Sequence, residues 1–452
     1  MSHLIELDKK HFIHPTSSIQ QQQEEGPTLI FESGEGVYLT DVHGEKYIDA
    51  MASLWNVNVG HGRSELAEVA KEQMEKLAFS SSFSTFSHEP AILLAEKIAT
   101  LAPGDLNAVF FTSGGSEAND SAFKLIRHYW KIQGKPERRK IISRKKAYHG
   151  VGTASTTATG IKEFWDMDGT ILDDFLHVDT PYEKSTEEAI HSLREAIEAE
   201  GPETIAAFIA EPIQGAGGVI IPPEDYFKEI RALCDAYGIL FIADEIITGF
   251  GRTGTMFGME NWGVTPDVMT FAKGVTSGYI PLGGVVVSDA IHDVLKKHSK
   301  GTLMHGFTYS GHPTATAVGL KNIEIIEEEN MVENSRNMGE RMFEGFQKVK
   351  EKSKIVGDVR AKGLLGAIEL VKNPATNEPF PADWNVAGRT IELLREKGLI
   401  SRPVTYDNTN IICFSPPISI DAEEVDKMIA IVEEAVLEVE KEVANSSKYL
   451  NS

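Results

Sequence analysis

The feature that most constrains this chain is an alternation running from about residue 107 to residue 287, where short β-branched or aromatic runs are separated by stretches of helical periodicity. Runs that are apolar throughout suit strands covered on both faces, and their alternation with helices predicts βαβ units around a mostly parallel sheet. Residues 108–111 form one such run, Thr112-Ser-Gly-Gly-Ser116 a turn, and Ala118, Ala122, Leu125, Ile126 and Tyr129 the buried stripe of a helix whose expected N-cap is Ser116. A second unit takes residues 206–210 as strand, Tyr226, Ile230, Leu233 and Tyr237 as helix stripe, Gly238 as stop and residues 239–243 as the next strand. A third run, 268–272, ends at Lys273-Gly274, and a hairpin-like strand at 283–287 follows.

Beyond Gly319 the pattern predicts one long charged helical stretch, with Ile323, Ile326, Met331, Met338, Met342 and Phe346 at helical spacing. Strands at 364–370 and 411–414 and helices at 384–397 and 422–443 then describe a smaller α+β domain, to which N-terminal strands at 29–39 and 46–49 can add. The expected division is residues 1–60 as an N-terminal segment serving the small domain and a subunit interface, 61–329 as a large domain, and 330–452 as the small domain. A length of 452 residues suits two or three such units at about 150 residues each.

Charge removes whole classes of function: 44 Lys and Arg against 67 Asp and Glu leave −23, the wrong sign for nucleic acid or an anionic membrane. Cys234 and Cys413, the only cysteines, have no His or Cys at ligand spacing, so neither a disulfide framework nor a metal site is expected. Residues 1–23 lack the apolar core of a secretion signal. The best candidate span, 205–223, is interrupted by Glu211 and several Gly and Pro. The expected location is the cytoplasm.

Three strand ends carry the chemistry. Gly114 and Gly115 let a backbone approach a ligand where a helix begins, and free N–H groups there suit a phosphate. Asp244 ends an apolar run, at the edge of an open α/β sheet where ligands collect; Glu245 beside it points to the opposite face. Lys273 ends the next run, where partial desolvation lowers an amine's pKa as a Schiff-base lysine requires. A phosphate cradle, a carboxylate for a pyridinium nitrogen and a Schiff-base amine are together what pyridoxal 5′-phosphate needs.

Thr112-Ser-Gly-Gly-Ser-Glu-Ala-Asn-Asp120, Tyr148-His149-Gly150, Ala210-Glu-Pro-Ile-Gln-Gly-Ala-Gly-Gly218, Ile242-Ala-Asp-Glu-Ile-Ile-Thr-Gly-Phe-Gly-Arg252 and Ala272-Lys-Gly-Val-Thr-Ser-Gly278 resemble, in order, the signature blocks of class III (subgroup II) pyridoxal-phosphate aminotransferases. The resemblance implies PLP fold type I, an α/β architecture with a helix-sandwiched, mostly parallel sheet and a smaller α+β domain, in a homodimer whose subunits can pair again. It implies Lys273 as the Schiff-base residue and proton shuttle and Asp244 as partner of the pyridine nitrogen. Tyr148 and Ile246 would cover the two ring faces, and Gly114, Gly115 and Ser116 would hold the phosphate, with Thr308 reaching it from the other subunit. Glu211 would stand near the cofactor oxygen or Tyr148, and His149 would be a hydrogen-bonded packing residue.

Ser53-Leu-Trp-Asn-Val-Asn-Val-Gly-His-Gly62 resembles the corresponding segment of ω-amine:pyruvate transaminases, which makes Trp55 a rigid wall for substrate, with Phe83 and Phe86 beside it and Ala216 as a small residue limiting one pocket. Arg402 resembles the mobile arginine of this subgroup, a guanidinium fork for the carboxylate of pyruvate or alanine. The expected reaction is ping-pong transfer from a primary amine or ω-amino acid to pyruvate. Two alternatives stay open: the diaminopelargonate aminotransferase of biotin synthesis, whose usual acidic residue after Tyr-His-Gly is replaced here by Val151-Gly152-Thr153, and an aminomutase or racemase on the same scaffold.

Overall fold

A computed structural model of the chain describes residues 2–445 apart from 168, 170 and 183. Its centre is a seven-stranded sheet made of β1 (Leu106–Thr112), β2 (Lys140–Arg144), β3 (Phe175–Val178), β4 (Ile205–Ala210), β5 (Leu240–Asp244), β6 (Val268–Phe271) and β7 (Gly283–Ser288), in the order β1-β7-β6-β5-β4-β2-β3. β7 runs antiparallel to both its neighbours and every other pair is parallel, so β1, β2, β4, β5 and β6 all end at the same edge.

The apolar runs are explained by burial on both faces. Phe208 and Phe241 pack towards helices Thr186–Glu200 and Tyr226–Tyr237, whereas Ile209 and Ile242 pack towards helix α1 (Gly115–Ile132) on the other side. β4 and β6 are buried along their whole length. Gly238, in the left-handed region at φ 62°, stops helix Tyr226–Tyr237 where the sequence pattern places its end.

The N-terminal strands Phe31–Glu35, Tyr38–Asp41 and Lys46–Asp49 form a second sheet completed by Leu399–Ile400, parallel to Lys46–Asp49, so the two ends of the chain share one element. Strands Val356–Ala361, Gly366–Leu370, Ile411–Phe414 and Arg402–Val404 make a third, antiparallel sheet, covered by helix Ala422–Asn445 and by Met331–Lys352.

Two expectations need correction. The charged stretch after Gly319 is two helices, Pro313–Glu328 and Met331–Lys352, because Asn330 turns into the left-handed region at φ 51° between them. Helical spacing continues across this joint, which is why periodicity alone reads it as one element. The helix after β1 begins at Gly115 with Gly114 as N-cap, so Ser116 lies inside the first turn. Ahead of the N-terminal strands stand two helices that composition did not announce, Ser2–His11 and Ile19–Glu25; the Gln run lies in the latter, capped by the Ser18 hydroxyl accepting the Gln21 N–H. Among the described residues no helix is long and apolar enough to cross a membrane.

Candidate active site

A cavity of about 440 Å³ opens along the shared strand edge. Lys273, Asp244, Gly115, Ser116, Tyr148, Glu211, Ile246, Trp55, Ala216 and Arg402 line it, so most of the residues singled out from sequence meet in one place. Gly114 sits next to them as the cap of α1. Phe83 and Thr308 do not reach this cavity: both are exposed on the surface, Phe83 in a short 3-10 turn at Phe83–Thr85. Phe86 is 68% exposed and likewise absent from the lining.

At the floor, Asp244 is almost completely buried and its carboxylate accepts three hydrogen bonds from the protein, which leaves Oδ1 able to accept one more. Oδ2 accepts from His149 Nδ1 (2.7 Å) and Asn119 Nδ2 (2.8 Å), and Oδ1 from the Ile246 N–H (3.1 Å). Asn119, on the buried face of α1, also donates to the His149 carbonyl (2.7 Å) and accepts from Thr270 Oγ1 (2.8 Å), the residue paired with Asp244 across β5 and β6. Asn119 stands in the first signature block and was given no role from sequence; only the packing of α1 on the sheet shows that it orients Asp244. His149 was read as a hydrogen-bonded packing residue; it is buried, bonded as described, and also borders the cavity.

Glu245 turns the other way, as alternation along a strand requires. Its buried carboxyl accepts from the Gly258 and Met259 N–H groups (2.8 Å each) and from Thr248 Oγ1 (2.5 Å), capping a loop behind the sheet. Burial pushes it up to about 7.

Glu211, at the end of β4, accepts from the Tyr148 N–H and the Gly215 N–H (3.0 Å each) and so ties the aromatic residue to the glycine-rich loop. Burial raises it to about 7, partly opposed by His149. Lys273 follows β6 with φ 44°, a left-handed conformation unusual for a lysine and of the kind that clusters at functional sites. Desolvation pulls its amine down to about 8, Arg402 adds to this, and the Asp244 and Glu211 carboxylates oppose it.

The outer wall comes from several loops. Ala52, Ser53 and Trp55 all have positive φ, at 44°, 58° and 64°. The buried Asp49 carboxylate holds this turn, accepting from the Met51 N–H (3.2 Å), the Ser53 N–H (2.7 Å) and His61 Nε2 (2.8 Å). Leu54 also lines the wall, and Phe164, Pro15 and Thr16, which carried no sequence signal, complete it. The Phe164 ring lies 5.2 Å from that of Tyr148 and 6.1 Å from that of Tyr406.

These residues fit pyridoxal phosphate. The 18-residue helix α1 starts at a glycine cap with no side-chain cap bond, and a Cβ built on Gly114 meets nothing within 4 Å, which leaves backbone amides open to an anion. A buried, oriented carboxylate and an amine of lowered pKa stand in the same cavity. Among the described residues no cluster suited to a metal ion is found.

Sheet order, cavity and donor set together describe an aminotransferase, and comparison with known proteins agrees. The chain belongs to the class-III aminotransferases, whose family model matches residues 19–436, and it is a pyridoxal-phosphate-dependent enzyme of fold type I. It is 43% identical to the putrescine–pyruvate aminotransferase of Pseudomonas aeruginosa over 94% of each chain, and 37% identical to the diaminobutyrate–2-oxoglutarate transaminase of Halomonas elongata over 96% of each. Among solved structures it superposes on a transaminase from the marine bacterium Virgibacillus with a TM-score of 0.97 at 68% identity, covering 98% of this chain and 100% of that one. The (S)-enantioselective omega-transaminase of Thermomicrobium roseum matches with a TM-score of 0.93 at 45% identity, covering 97% and 98%.

Proposed function

We propose that the protein moves the amino group of a primary amine or ω-amino acid to pyruvate, with Lys273 as the catalytic amine. The observation that carries this reading is the make-up of the cavity: Arg402 is the one guanidinium among its described lining residues, and the surfaces around it, Leu54, Trp55, Tyr148, Phe164 and Ala216, are apolar or aromatic. A keto acid needs a carboxylate partner, which Arg402 provides as a two-pronged donor. A donor amine without a carboxylate has apolar walls to lie against. The pyruvate-using relative from Pseudomonas aeruginosa and the omega-transaminase structure support the same choice.

Bound here, pyridoxal phosphate supplies an aldehyde for the amine and a protonated ring that withdraws the electron pair left on the donor carbon. Lys273 Nζ would take the proton from that carbon and deliver it to the former aldehyde carbon of the cofactor, and a lowered pKa keeps a useful fraction of the amine free near neutrality. Asp244, held by His149 and Asn119, keeps its charge aimed at the ring nitrogen. The amides of Gly114 and Gly115, with Ser116, would anchor the phosphate and Tyr148 and Ile246 would cover the ring, while Glu211 fixes Tyr148 by its backbone. The donor departs as an aldehyde or ketone and pyruvate as alanine.

The assembly we propose is a homodimer with active sites at the subunit boundary. Phe79, Phe83, Phe86, Ile92, Met304 and Tyr309 are each at least 45% exposed, apolar surface in keeping with a subunit interface, and Thr308, also exposed, lies between Met304 and Tyr309. We place the enzyme in the cytoplasm; its two cysteines are buried and unbridged, as a reducing compartment allows.

The test is the visible spectrum of the purified enzyme during single additions of an uncharged aryl amine, β-alanine, taurine, a diamine or S-adenosylmethionine, without keto acid. Loss of the cofactor band with one of the first four, restored by pyruvate, is the expected result. A response to S-adenosylmethionine alone moves the enzyme to biotin synthesis, and amine isomerisation without any need for pyruvate moves it to the mutases.

A further inference from the structure

Arg360 lies on strand Val356–Ala361 of the third sheet and lines no part of the cavity, yet its guanidinium grips the cavity wall from behind. Nε donates to the carbonyl oxygens of Val219 (3.0 Å) and Gly218 (3.1 Å), and Nη2 donates to Gly218 O (2.7 Å). Nη1 donates to Glu369 (2.8 Å) and Asp358 (2.6 Å). The side chain is only 12% exposed, and the Tyr182 ring, whose hydroxyl donates to the other Glu369 oxygen (2.5 Å), lies 5.8 Å from the guanidinium.

The gripped segment is the loop that presents Ala216. A bridge between Gln214 and Ile220 closes it, and the Gly215 carbonyl accepts from the Gly218 and Val219 N–H groups inside it. Gly218 has φ 115°, which a side chain resists, and a Cβ on Gly217 would collide with the Lys146 carbonyl. On the cavity side the loop is packed closely against the Lys146 carbonyl and is held by Glu211, which accepts the Gly215 N–H. On the outer side the hydrogen bonds holding the Gly218 and Val219 carbonyls come from Arg360.

We propose that Arg360 is a specificity-positioning residue: by fastening Gly218 and Val219 to the small-domain sheet, it sets how far Ala216 projects into the amine pocket. This rests on the reading of Ala216 as a wall of that pocket. A lysine keeps the charge against Glu369 and Asp358 but cannot serve both carbonyls and both carboxylates from one planar fork. The loop then relaxes outward and the pocket tolerates bulk.

The test uses the holoenzyme with saturating pyruvate, comparing butylamine with 1-phenylethylamine as donors in Arg360→Lys. The cofactor band is expected to remain, KM for butylamine to rise about fivefold with kcat changed less than about twofold, and the kcat/KM ratio to move about fivefold towards the aryl amine. The double variant Arg360→Met/Glu369→Met removes the charge pair together and is expected to shift the ratio in the same direction. Equal losses for both donors, or no change, in both variants overturn the proposal. Ala216→Val separates the two levels: it is expected to move the ratio towards butylamine. If it does so while the Arg360 variants leave the ratio alone, the positioning role fails and the wall stands; if Ala216→Val has no effect on the ratio, the wall reading has failed and Arg360 with it.

Discussion

At the floor of the cavity, Asp244, His149, Asn119 and Thr270 share a buried set of hydrogen bonds, anchored in β5, β6 and α1. The outer wall is assembled instead from Thr16, Leu54, Trp55, Phe164, Ala216 and Arg402, which lie outside the central sheet, Thr16 and Trp55 with positive φ. The contrast separates two tasks. Orienting a carboxylate and an amine at one cofactor needs rigid elements and a low dielectric, because an uncompensated buried charge is costly. Selecting a substrate needs shape, and shape resides in loops that can differ without disturbing the sheet.

If the division is real, damage at the floor should be large and indifferent to substrate, whereas damage at the wall should be smaller and selective. Lys273→Ala is expected to lower turnover about 10⁴-fold with every donor, measured at steady state. Loss confined to one donor would merge the two regions. Asp244→Asn is expected to cost on the order of 10²-fold or more, again for all donors, through loss of a charge-assisted bond. It also removes an anion that raises Lys273, so in the cofactor-free protein the amine's pKa should fall further below about 8; the pH midpoint of its reaction with an aldehyde reagent reads this directly.

At the wall, Arg402→Ala is expected to raise KM for pyruvate roughly 10- to 100-fold, the worth of a hydrogen-bonded charge pair, while KM for an uncharged amine changes less than about threefold. Comparable losses for both would place Arg402 with the floor. The last effect is on stability rather than on turnover. Glu245 and Glu211 have folded-state values of about 7 against an ordinary 4.5, so their contribution is fully present below pH 4.5 and is lost as pH rises through 7. Lys273, lowered to about 8, acts in the opposite sense and only above that pH. The cofactor-free protein should therefore lose thermal stability between pH 5 and 7.5, and Glu245→Gln should remove its share, about 3 kcal/mol at most. An unchanged pH slope in that variant would contradict the burial cost assigned to Glu245.

Sequence alone determined the parts whose signal is local. The apolar runs at 206–210, 239–243 and 268–272, each ending in Glu211, Asp244 or Lys273, mark strands buried on both faces and set their ends as the reactive edge. The signature blocks supplied most of the residues that line the cavity, because each block is a short contiguous run beside the reactive edge. Local signals do not say which loops converge. Residues 15–16 and Phe164 enter the cavity only because distant segments fold over the sheet edge, and the turn at Asn330 interrupts a helical pattern that continues across it. Asn119 became the support of Asp244 only when α1 packed against β5 and β6, and Arg360 reached the Ala216 loop only when the third sheet docked beside the first. Hydrogen bonds between residues more than a hundred positions apart are decided by packing, which buries the donors and acceptors and so obliges them to find one another.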